Sequence, residues 1–287
     1  MLSYLAIFAF IFGSVVGSFL NVVILRYGKR PISGRSGCPF CGKELRWYEL
    51  IPILSFVAQK GRCRSCGERI SSQYLLVEVL TGFVFVWIFY FLIDLYQLSS
   101  LAEIEFIYFI PSFVLLAVIW SLLVVIFVYD LYHKIIPDRF VFPFIGASFI
   151  WLFHSVRPDE FLSIPEFSDL LMGLVLFLFF FSLWYFSKGE WMGFGDAKLA
   201  LGMGFLLGFS KGFAAFMLSF WIGAAVAILL LLFRSALSES ESFLIPQTLK
   251  DLSMKSEVPF APFLITGTAL AFFFGINTAD LVTIFYF

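Results

Sequence analysis

Charged residues are scarce in this sequence. Asp, Glu, Lys and Arg make up 14% of the 287 residues, whereas hydrophobic residues make up 61%, with 41 Phe among them. This composition excludes an ordinary soluble domain, in which about a quarter of the residues are charged. A chain this apolar buries its surface in lipid and in contacts between helices. We therefore predict a polytopic membrane protein in a lipid bilayer, and we expect no nucleic-acid partner.

Cysteine is absent outside one short stretch. Two Cys-x-x-Cys pairs stand 21 residues apart, at Cys38 and Cys41 and at Cys63 and Cys66. This spacing is close to that of a zinc ribbon, and four thiolates leave no open position for a catalytic water on Zn²⁺. We predict a structural zinc site in a loop of residues 26–72, which is too small to fold without a staple. The alternative, free or disulfide-bonded thiols, fits a reducing cytoplasm less well.

Long apolar runs fill most of the chain. Windows of about 20 apolar residues lie near 2–25, 73–96, 107–129, 138–154, 168–187, 197–210, 212–233 and 259–280. They predict an all-α fold with about eight transmembrane helices, in which Ser210-Lys211-Gly212 separates the sixth span from the seventh. The first run lacks a small-residue cleavage pattern, and we interpret it as a retained span. We expect an N-terminal region of residues 1–96 and a second domain of residues 97–287.

The basic residues predict the orientation of these spans. Lys and Arg near span ends accumulate on the cytoplasmic side of a membrane. With the N-terminus outside, only Arg157 and Lys211 fall on the outer side. This arrangement places the cysteine-bearing loop, Asp130 and Asp196 on the cytoplasmic face of the membrane.

Two acids stand at the ends of apolar runs. Asp196 closes the motif Gly193-Phe194-Gly195-Asp196, and Asp130 ends the run before residue 131. Two carboxylates close enough to share a proton can divide the work of a peptidase, one as base toward water and the other as acid. Gly193 and Gly195 are expected to let the backbone turn sharply and a peptide substrate approach. The alternatives are a helix N-cap at Asp196 and a solvated interfacial acid at Asp130.

Other polar residues are candidates for supporting roles. Glu78 lies inside the second span, where an acid is a functional hypothesis by default. Asn21 is expected to hydrogen-bond to Glu78 or between helices. Asp138 is the more natural N-cap, and it could also support the two acids. No internal repeat appears, and His133 and His154 receive no role.

Six segments resemble the type IV prepilin peptidases, membrane aspartyl proteases with a GxGD motif. The segments are Gly17–Ile24, Leu50–Ser55, Tyr74–Glu78, Asp130–Asp138, Gly193–Lys198 and Pro259–Leu264. In this resemblance Asp130 and Asp196 match the two catalytic aspartates. Gly193, Gly195 and Lys198 belong to the motif around Asp196 and are expected to support it.

The resemblance implies a substrate and a second activity. The family cleaves the basic leader from prepilins and pseudopilins of type IV pili and type II secretion at the cytoplasmic membrane surface. Many members then methylate the new N-terminus from S-adenosylmethionine, an activity associated with the cysteine-bearing region. This chain departs from the family at Gln73-Tyr74-Leu75, where Arg-Tyr-Pro is frequent, and at Ala261, where Gly is frequent. The departures weaken the expectation of methylation more than that of proteolysis, and no GxGxxG loop indicates a nucleotide site.

Two alternatives stay open. The first is a protease-only or preflagellin-type member of the same family. The second is a non-enzymatic transporter or assembly scaffold that uses Asp130, Asp196 and Glu78 as a cation path. A transporter is expected to hold acids at the membrane midplane and to show repeated halves.

Overall fold

The regular elements of the protein are helices. The computed structural model describes residues 2–28, 31, 33–96, 106–154, 167–232 and 259–285. In this part of the chain the helices are α1 (Leu2–Arg26), α2 (Leu54–Ala58), α3 (Ser72–Leu95), α4 (Phe106–His133), α5 (Asp138–Leu152), α6 (Phe167–Ser187), α7 (Phe194–Leu232), α8 (Ala261–Phe273) and α9 (Thr278–Phe285), with a 3₁₀ turn at Trp47–Leu50. Five of them, α1, α3, α4, α6 and α7, are long and apolar enough to cross a membrane. The prediction of an all-α, multi-pass membrane protein is confirmed.

Each of the eight apolar windows coincides with a helix, but the helices differ in length. Helices α5 and α8 have 15 and 13 residues, fewer than the roughly 20 that a perpendicular span requires. Helix α7 has 39 residues and contains the sixth and seventh windows.

Helix α7 is a hairpin of two arms that meet at Gly208, where φ is 70° and ψ is −170°. The first arm, residues 194–207, runs antiparallel to α6. Phe194, at its start, lies 5.0 Å from Trp184 near the end of α6, as measured between ring centroids. Ten residues later, Gly204 contacts Gly173 near the beginning of α6.

The second arm, residues 209–232, runs parallel to α6. Gly212 contacts Met172 near the beginning of α6. Phe220 then stacks on Phe180 with 6.3 Å between ring centroids. The opposite directions of the two arms show that the chain reverses at Gly208, two residues before the predicted boundary at Ser210.

Asp169 holds this reversal. Its Oδ1 accepts a hydrogen bond of 2.7 Å from the N–H of Phe209, one of the unpaired donors at the start of the second arm. The positive φ of Gly208 is a conformation that L-residues adopt at a cost. A Cβ on Gly208 would also lie 2.6 Å from Asp169 Oδ1, so the turn requires glycine at this position.

The chain divides into two compact units, one formed by residues 1–128 with 153–164 and the other by residues 129–152 with 165–287. In the first unit α1 packs against α3 through small residues. A Cβ on Gly17 would lie 2.9 Å from Cα of Glu78, and one on Gly13 would lie 2.8 Å from Cβ of Phe85. The proposed boundary at residue 96 stays a prediction.

His154 lies in a small polar cluster of the first unit. Its Nε2 is 2.7 Å from the Ser112 hydroxyl and 3.2 Å from that of Tyr96, and the two hydroxyls are 2.8 Å apart. These hydrogen bonds connect Tyr96, at the end of α3, to Ser112 of α4 within the first unit, which is a structural role.

Candidate active site

The loop between α1 and α3 brings the four cysteines together. Their Sγ atoms all lie within 4.8 Å of one another, and those of Cys38 and Cys66 are 3.9 Å apart. The two halves have the same geometry. The N–H of Gly42 bonds to the Cys38 carbonyl and that of Gly67 to the Cys63 carbonyl, both at 2.9 Å. Both glycines have positive φ, 70° and 74°, so each tight turn suits a residue without Cβ.

The backbone around these thiols favours a thiolate. The N–H of Cys66, with that of Ser65, lowers the pKa of the Cys63 thiol to about 6. The N–H of Glu68 also lowers the pKa of Cys66, but burial and the neighbouring thiols raise it to about 12. The Cys63 thiol therefore ionises more readily than the Cys66 thiol, because its pKa is the lower of the two. Four converging sulfur ligands are the donor set of a structural tetrahedral metal site.

Asp196 lies in the first turn of α7 and is 9% exposed. Its carboxylate accepts a hydrogen bond from the backbone N–H of Gly193, the residue before the helix. This contact is one half of a capping box, in which the third helical residue reaches back to the N-cap. The Asp196 N–H in turn bonds to the Gly193 carbonyl at 3.2 Å, because glycine has no side chain to accept it. Asp196 is therefore inside the helix rather than its N-cap residue, and its carboxylate is held by the GxGD loop itself.

Asp130 lies in the last turn of α4 and is 4% exposed. Its carboxylate accepts a hydrogen bond from the backbone N–H of Ala261, the first residue of α8. Because a helix N-terminus carries unpaired N–H donors and a partial positive charge, it stabilises an anion there. The favourable interaction with the N-terminus of α8 offsets the unfavourable interaction of the Asp130 carboxylate with the negative end of α4.

The two acids lie near each other in the second unit. Asp130 lies in the segment 129–152 of this unit and Asp196 in the segment 165–287, and their carboxylates interact electrostatically. The structure thus brings together a pair of buried acids from different helices. Sequence reasoning found both acids and named Ala261 only as a departure from the family, so it missed the contact of Ala261 with Asp130. The available signal was Pro262, because Pro in the first turn marks a helix N-terminus.

The two glycines of the motif have different surroundings. A Cβ on Gly195 would lie 2.9 Å from Cβ of Ile136, in the segment between α4 and α5. A Cβ on Gly193 would come no closer than 3.5 Å, to Asp196 Oδ2, which is an ordinary contact. Gly195 thus allows the close approach of Ile136, and the approach of a peptide substrate to this loop stays a prediction. This contact fixes the position of Asp196 against the chain that follows Asp130.

Lys198 and Asp138 form an ion pair between α7 and α5. The Lys198 ammonium also lies 5.0 Å from the ring centroid of Phe194 and 5.5 Å from that of Phe142. Asp138 is the first residue of α5, and its side chain is largely exposed. The pair connects the beginnings of two helices, one of which carries Asp196.

Glu78 belongs to the first unit. Its Oε2 accepts a hydrogen bond of 2.7 Å from the N–H of Ile53, and the Ser18 hydroxyl bonds to the same carboxylate. Ile53 has a φ of 62°, which is strained for a β-branched residue. Glu78 therefore anchors the cysteine-bearing loop onto α1 and α3.

The adjoining amide side chains are incompletely paired. Asn21 donates from Nδ2 to the carbonyl of Tyr74 at 3.1 Å, which confirms the expected bond between helices. Asn21 Oδ1 and Gln73 Nε2 are buried and have no hydrogen-bond partner among the described residues. Among the described residues of the first unit, these two atoms have hydrogen-bonding capacity that a polar ligand would satisfy.

Comparisons with known proteins match both units. The family model of the Bacterial Peptidase A24 N-terminal domain matches residues 11–92, and that of the Type IV leader peptidase family matches residues 115–228. The prepilin leader peptidase/N-methyltransferase of Bacillus subtilis is 33% identical over 282 residues, which cover 96% of each chain. This chain belongs to the type IV leader peptidase family. The A24 N-terminal match contains the four cysteines, Asn21 and Glu78, whereas the leader peptidase match contains both buried acids.

Other members of the type IV leader peptidase family extend this comparison. The relative of the same name from Myxococcus xanthus is 35% identical over 235 residues, which cover 79% of this chain and 63% of that protein. The relative from Vibrio cholerae is 31% identical over 219 residues, 71% of this chain and 78% of that protein. No solved structure gives a significant match.

Proposed function

We propose that this protein is a membrane aspartyl endopeptidase that removes the basic leader from prepilins or pseudopilins, by hydrolysis of a Gly-X bond. The observation that carries the proposal is the pair of buried, interacting carboxylates of Asp130 and Asp196. In this proposal the two acids share one proton, because the charge of one opposes ionisation of the other. Membership of the type IV leader peptidase family and the names of the related prepilin leader peptidases support the substrate class.

The proposed mechanism needs no covalent intermediate. The ionised acid accepts a proton from water, which attacks the scissile carbonyl, and the protonated acid donates to the leaving amine. The N–H of Gly193 holds the Asp196 carboxylate, and the N–H of Ala261 holds that of Asp130. Their hydrogen bonds fix the orientation of both acids before a substrate arrives, which lowers the cost of reaching the transition state.

The second proposed activity is methylation of the new N-terminus. When bound, S-adenosylmethionine supplies an electrophilic methyl group for the free amine of the cleaved pilin. The relatives described above are named prepilin leader peptidase/N-methyltransferase, which supports this activity. Among the described residues, the unpaired amide atoms of Asn21 and Gln73 are the group that fits such a ligand.

The four cysteines are proposed to hold structural Zn²⁺. Their convergence and the lowered pKa of Cys63 support the assignment, since four thiolates form closed structural Zn²⁺ sites. We also propose that the protein lies in the inner membrane with its acids facing the cytoplasm. The bias of Lys and Arg toward the inner loops supports this orientation.

The test is cleavage of a prepilin by the purified protein in liposomes, with intact mass as the readout. Asp130→Asn and Asp196→Asn are each expected to abolish the loss of the leader while insertion and folding stay normal. Asp280→Asn is the matched control, because Asp280 is an exposed acid at the start of α9. Cleavage by either of the first two variants would remove that acid from the mechanism.

The same assay separates the alternatives. With S-adenosylmethionine present, a methyl increment on the cleaved product indicates the bifunctional enzyme. Cleavage without the increment indicates a protease-only or preflagellin-type enzyme. No change in mass of a correctly inserted prepilin would favour the transporter or scaffold.

A further inference from the structure

Two amide atoms in the first unit are buried at a cost. Asn21 is 0% exposed and Gln73 is 9% exposed, yet Asn21 Oδ1 and Gln73 Nε2 have no hydrogen-bond partner in the described part of the chain. An unpaired buried polar group costs about 1–3 kcal/mol relative to a paired one. Two of them at neighbouring positions on packed helices call for a partner that the chain itself does not supply.

The orientation of Asn21 is fixed by its other hydrogen bond. Nδ2 donates to the Tyr74 carbonyl at 3.1 Å, so exchange of the amide atoms would place two acceptors against each other. The unpaired atom is therefore an acceptor. Gln73 directly precedes Tyr74, and its unpaired atom is a donor. The helix interface thus offers one acceptor and one donor in the same region.

A carboxylate stands next to these atoms. Glu78 follows Tyr74 by about one helical turn on α3, and its partner Ser18 precedes Asn21 by about one turn on α1. Gly17 lets the two helices approach so closely that a Cβ there would lie 2.9 Å from Cα of Glu78. The acceptor, the donor and the negative charge therefore share the interface of α1 and α3, at the ends from which the cysteine-bearing loop extends.

We infer that Asn21, Gln73 and Glu78 bind an α-ammonium group together with the carbonyl or carboxylate next to it. The ammonium would donate to Asn21 Oδ1, with Glu78 balancing its charge, and the adjacent oxygen would accept from Gln73 Nε2. Such a ligand carries a donor for Asn21 Oδ1 and an acceptor for Gln73 Nε2, and its α-amino nitrogen and carbonyl oxygen are only three bonds apart. The inference rests on the proposed methylation, for which it names the group that the site recognises.

Two substrates of that reaction carry this group. One is the methionine end of S-adenosylmethionine, and the other is the N-terminal residue of the cleaved pilin. Their shared chemistry is an α-aminoacyl end, and paired probes that differ only there distinguish them. S-adenosylhomocysteine and 5′-methylthioadenosine form the first pair, since only the former has the amino-acid end. A mature pilin N-terminal peptide with a free amine and its N-acetylated form make up the second.

The experiment measures equilibrium binding of all four probes to the full-length protein in detergent or nanodiscs. In one pair, the probe with the α-ammonium is expected to bind roughly tenfold or more tightly, as one charge-assisted hydrogen bond predicts. Gln73→Met and Asn21→Leu should each bring that ratio close to one, without weakening the probe that lacks the group. The pair that responds identifies the source of the α-aminoacyl end.

A control variant and a separate readout make the result unambiguous. Ser148→Ala removes the hydroxyl of another buried, unpaired residue in the second unit, and it should leave every ratio unchanged. Gln73→Met keeps the side-chain volume and the Asn21–Tyr74 bond, so it tests the site even where Asn21→Leu unfolds. Equal binding within both pairs, or preferences that persist in Gln73→Met, would overturn the inference. Prepilin cleavage, measured alongside, reports on the proposed peptidase independently of these ratios.

Discussion

Replacement of Gly195 by alanine tests how the two acids are positioned. In the structure a Cβ at residue 195 would lie 2.9 Å from Cβ of Ile136, and 3.3 Å and 3.4 Å from its Cδ1 and Cγ1. The closest atom is attached directly to the backbone, so a change of rotamer at Ile136 cannot relieve the contact. The GxGD loop and the segment after α4 must therefore move apart.

The size of the movement follows from the contact distance. Carbon atoms pack best at about 3.5–4.0 Å, so the separation must grow by roughly 0.6–1.1 Å. Overpacking of this kind costs about 1–3 kcal/mol, and Ala in a helical turn returns at most about 1 kcal/mol over Gly. The net loss of stability is small, but a displacement near 1 Å at reacting groups can reduce the rate about 100-fold. We therefore expect activity to fall far more than stability.

The assay is kcat/KM for prepilin cleavage, together with the thermal unfolding midpoint in detergent. Gly193→Ala is the matched control, because its Cβ would meet nothing closer than Asp196 Oδ2 at 3.5 Å, and it should cost less than about tenfold. In the Gly195→Ala background, Ile136→Gly should restore activity in part, whereas Ile136→Ala, which retains Cβ, should not. Normal cleavage by Gly195→Ala, or an equal loss in Gly193→Ala, would refute the positioning role of this contact.

Three further predictions concern other parts of the molecule. Ala261→Pro removes the N–H that bonds to Asp130 and should reduce cleavage about tenfold or more. Ala261→Gly keeps the N–H, and its activity should stay near that of the wild type. Full activity in the proline variant would contradict this role of Ala261. Gly208→Ala should lower the free energy of unfolding by about 1–3 kcal/mol, because of the φ of 70° at this residue and the contact with Asp169. Gly146→Ala in α5 should not destabilise the protein, since a Cβ there meets nothing within 4 Å. Equal unfolding midpoints for the two variants would contradict the turn assignment. Cys63→Ser should abolish the zinc content measured by mass spectrometry and expose the loop to proteolysis, with Ser65→Ala as control, and undiminished zinc would exclude the four-cysteine site.

Several features could be predicted from the sequence because their signals are local. A continuous apolar run indicates a membrane helix, and the spacing of the cysteines indicates a four-cysteine site. Both features were therefore predicted correctly. The two acids were also conspicuous, since an ionisable residue beside an apolar run needs a reason. Their functional roles stay predictions that the variants above test.

Contacts between distant segments could not be predicted in this way. The N–H of Ala261 reaches Asp130 across more than a hundred residues, and the unpaired state of Asn21 Oδ1 depends on every neighbour of that side chain. The reversal at Gly208 was expected two residues later, because Ser210-Lys211-Gly212 is the more polar stretch. What decided its position was the fit of Asp169 against a glycine with positive φ.

The sequence by itself determined the class of the protein, the approximate positions of its helices and the residues with reactive side chains, since composition and periodicity depend only on near neighbours. The tertiary structure alone decided what each of these residues contacts. It packs Gly195 against Ile136, pairs Lys198 with Asp138, and joins Glu78 to the loop of Ile53. The physical reason is that close packing and buried hydrogen bonds are formed between segments far apart in the chain.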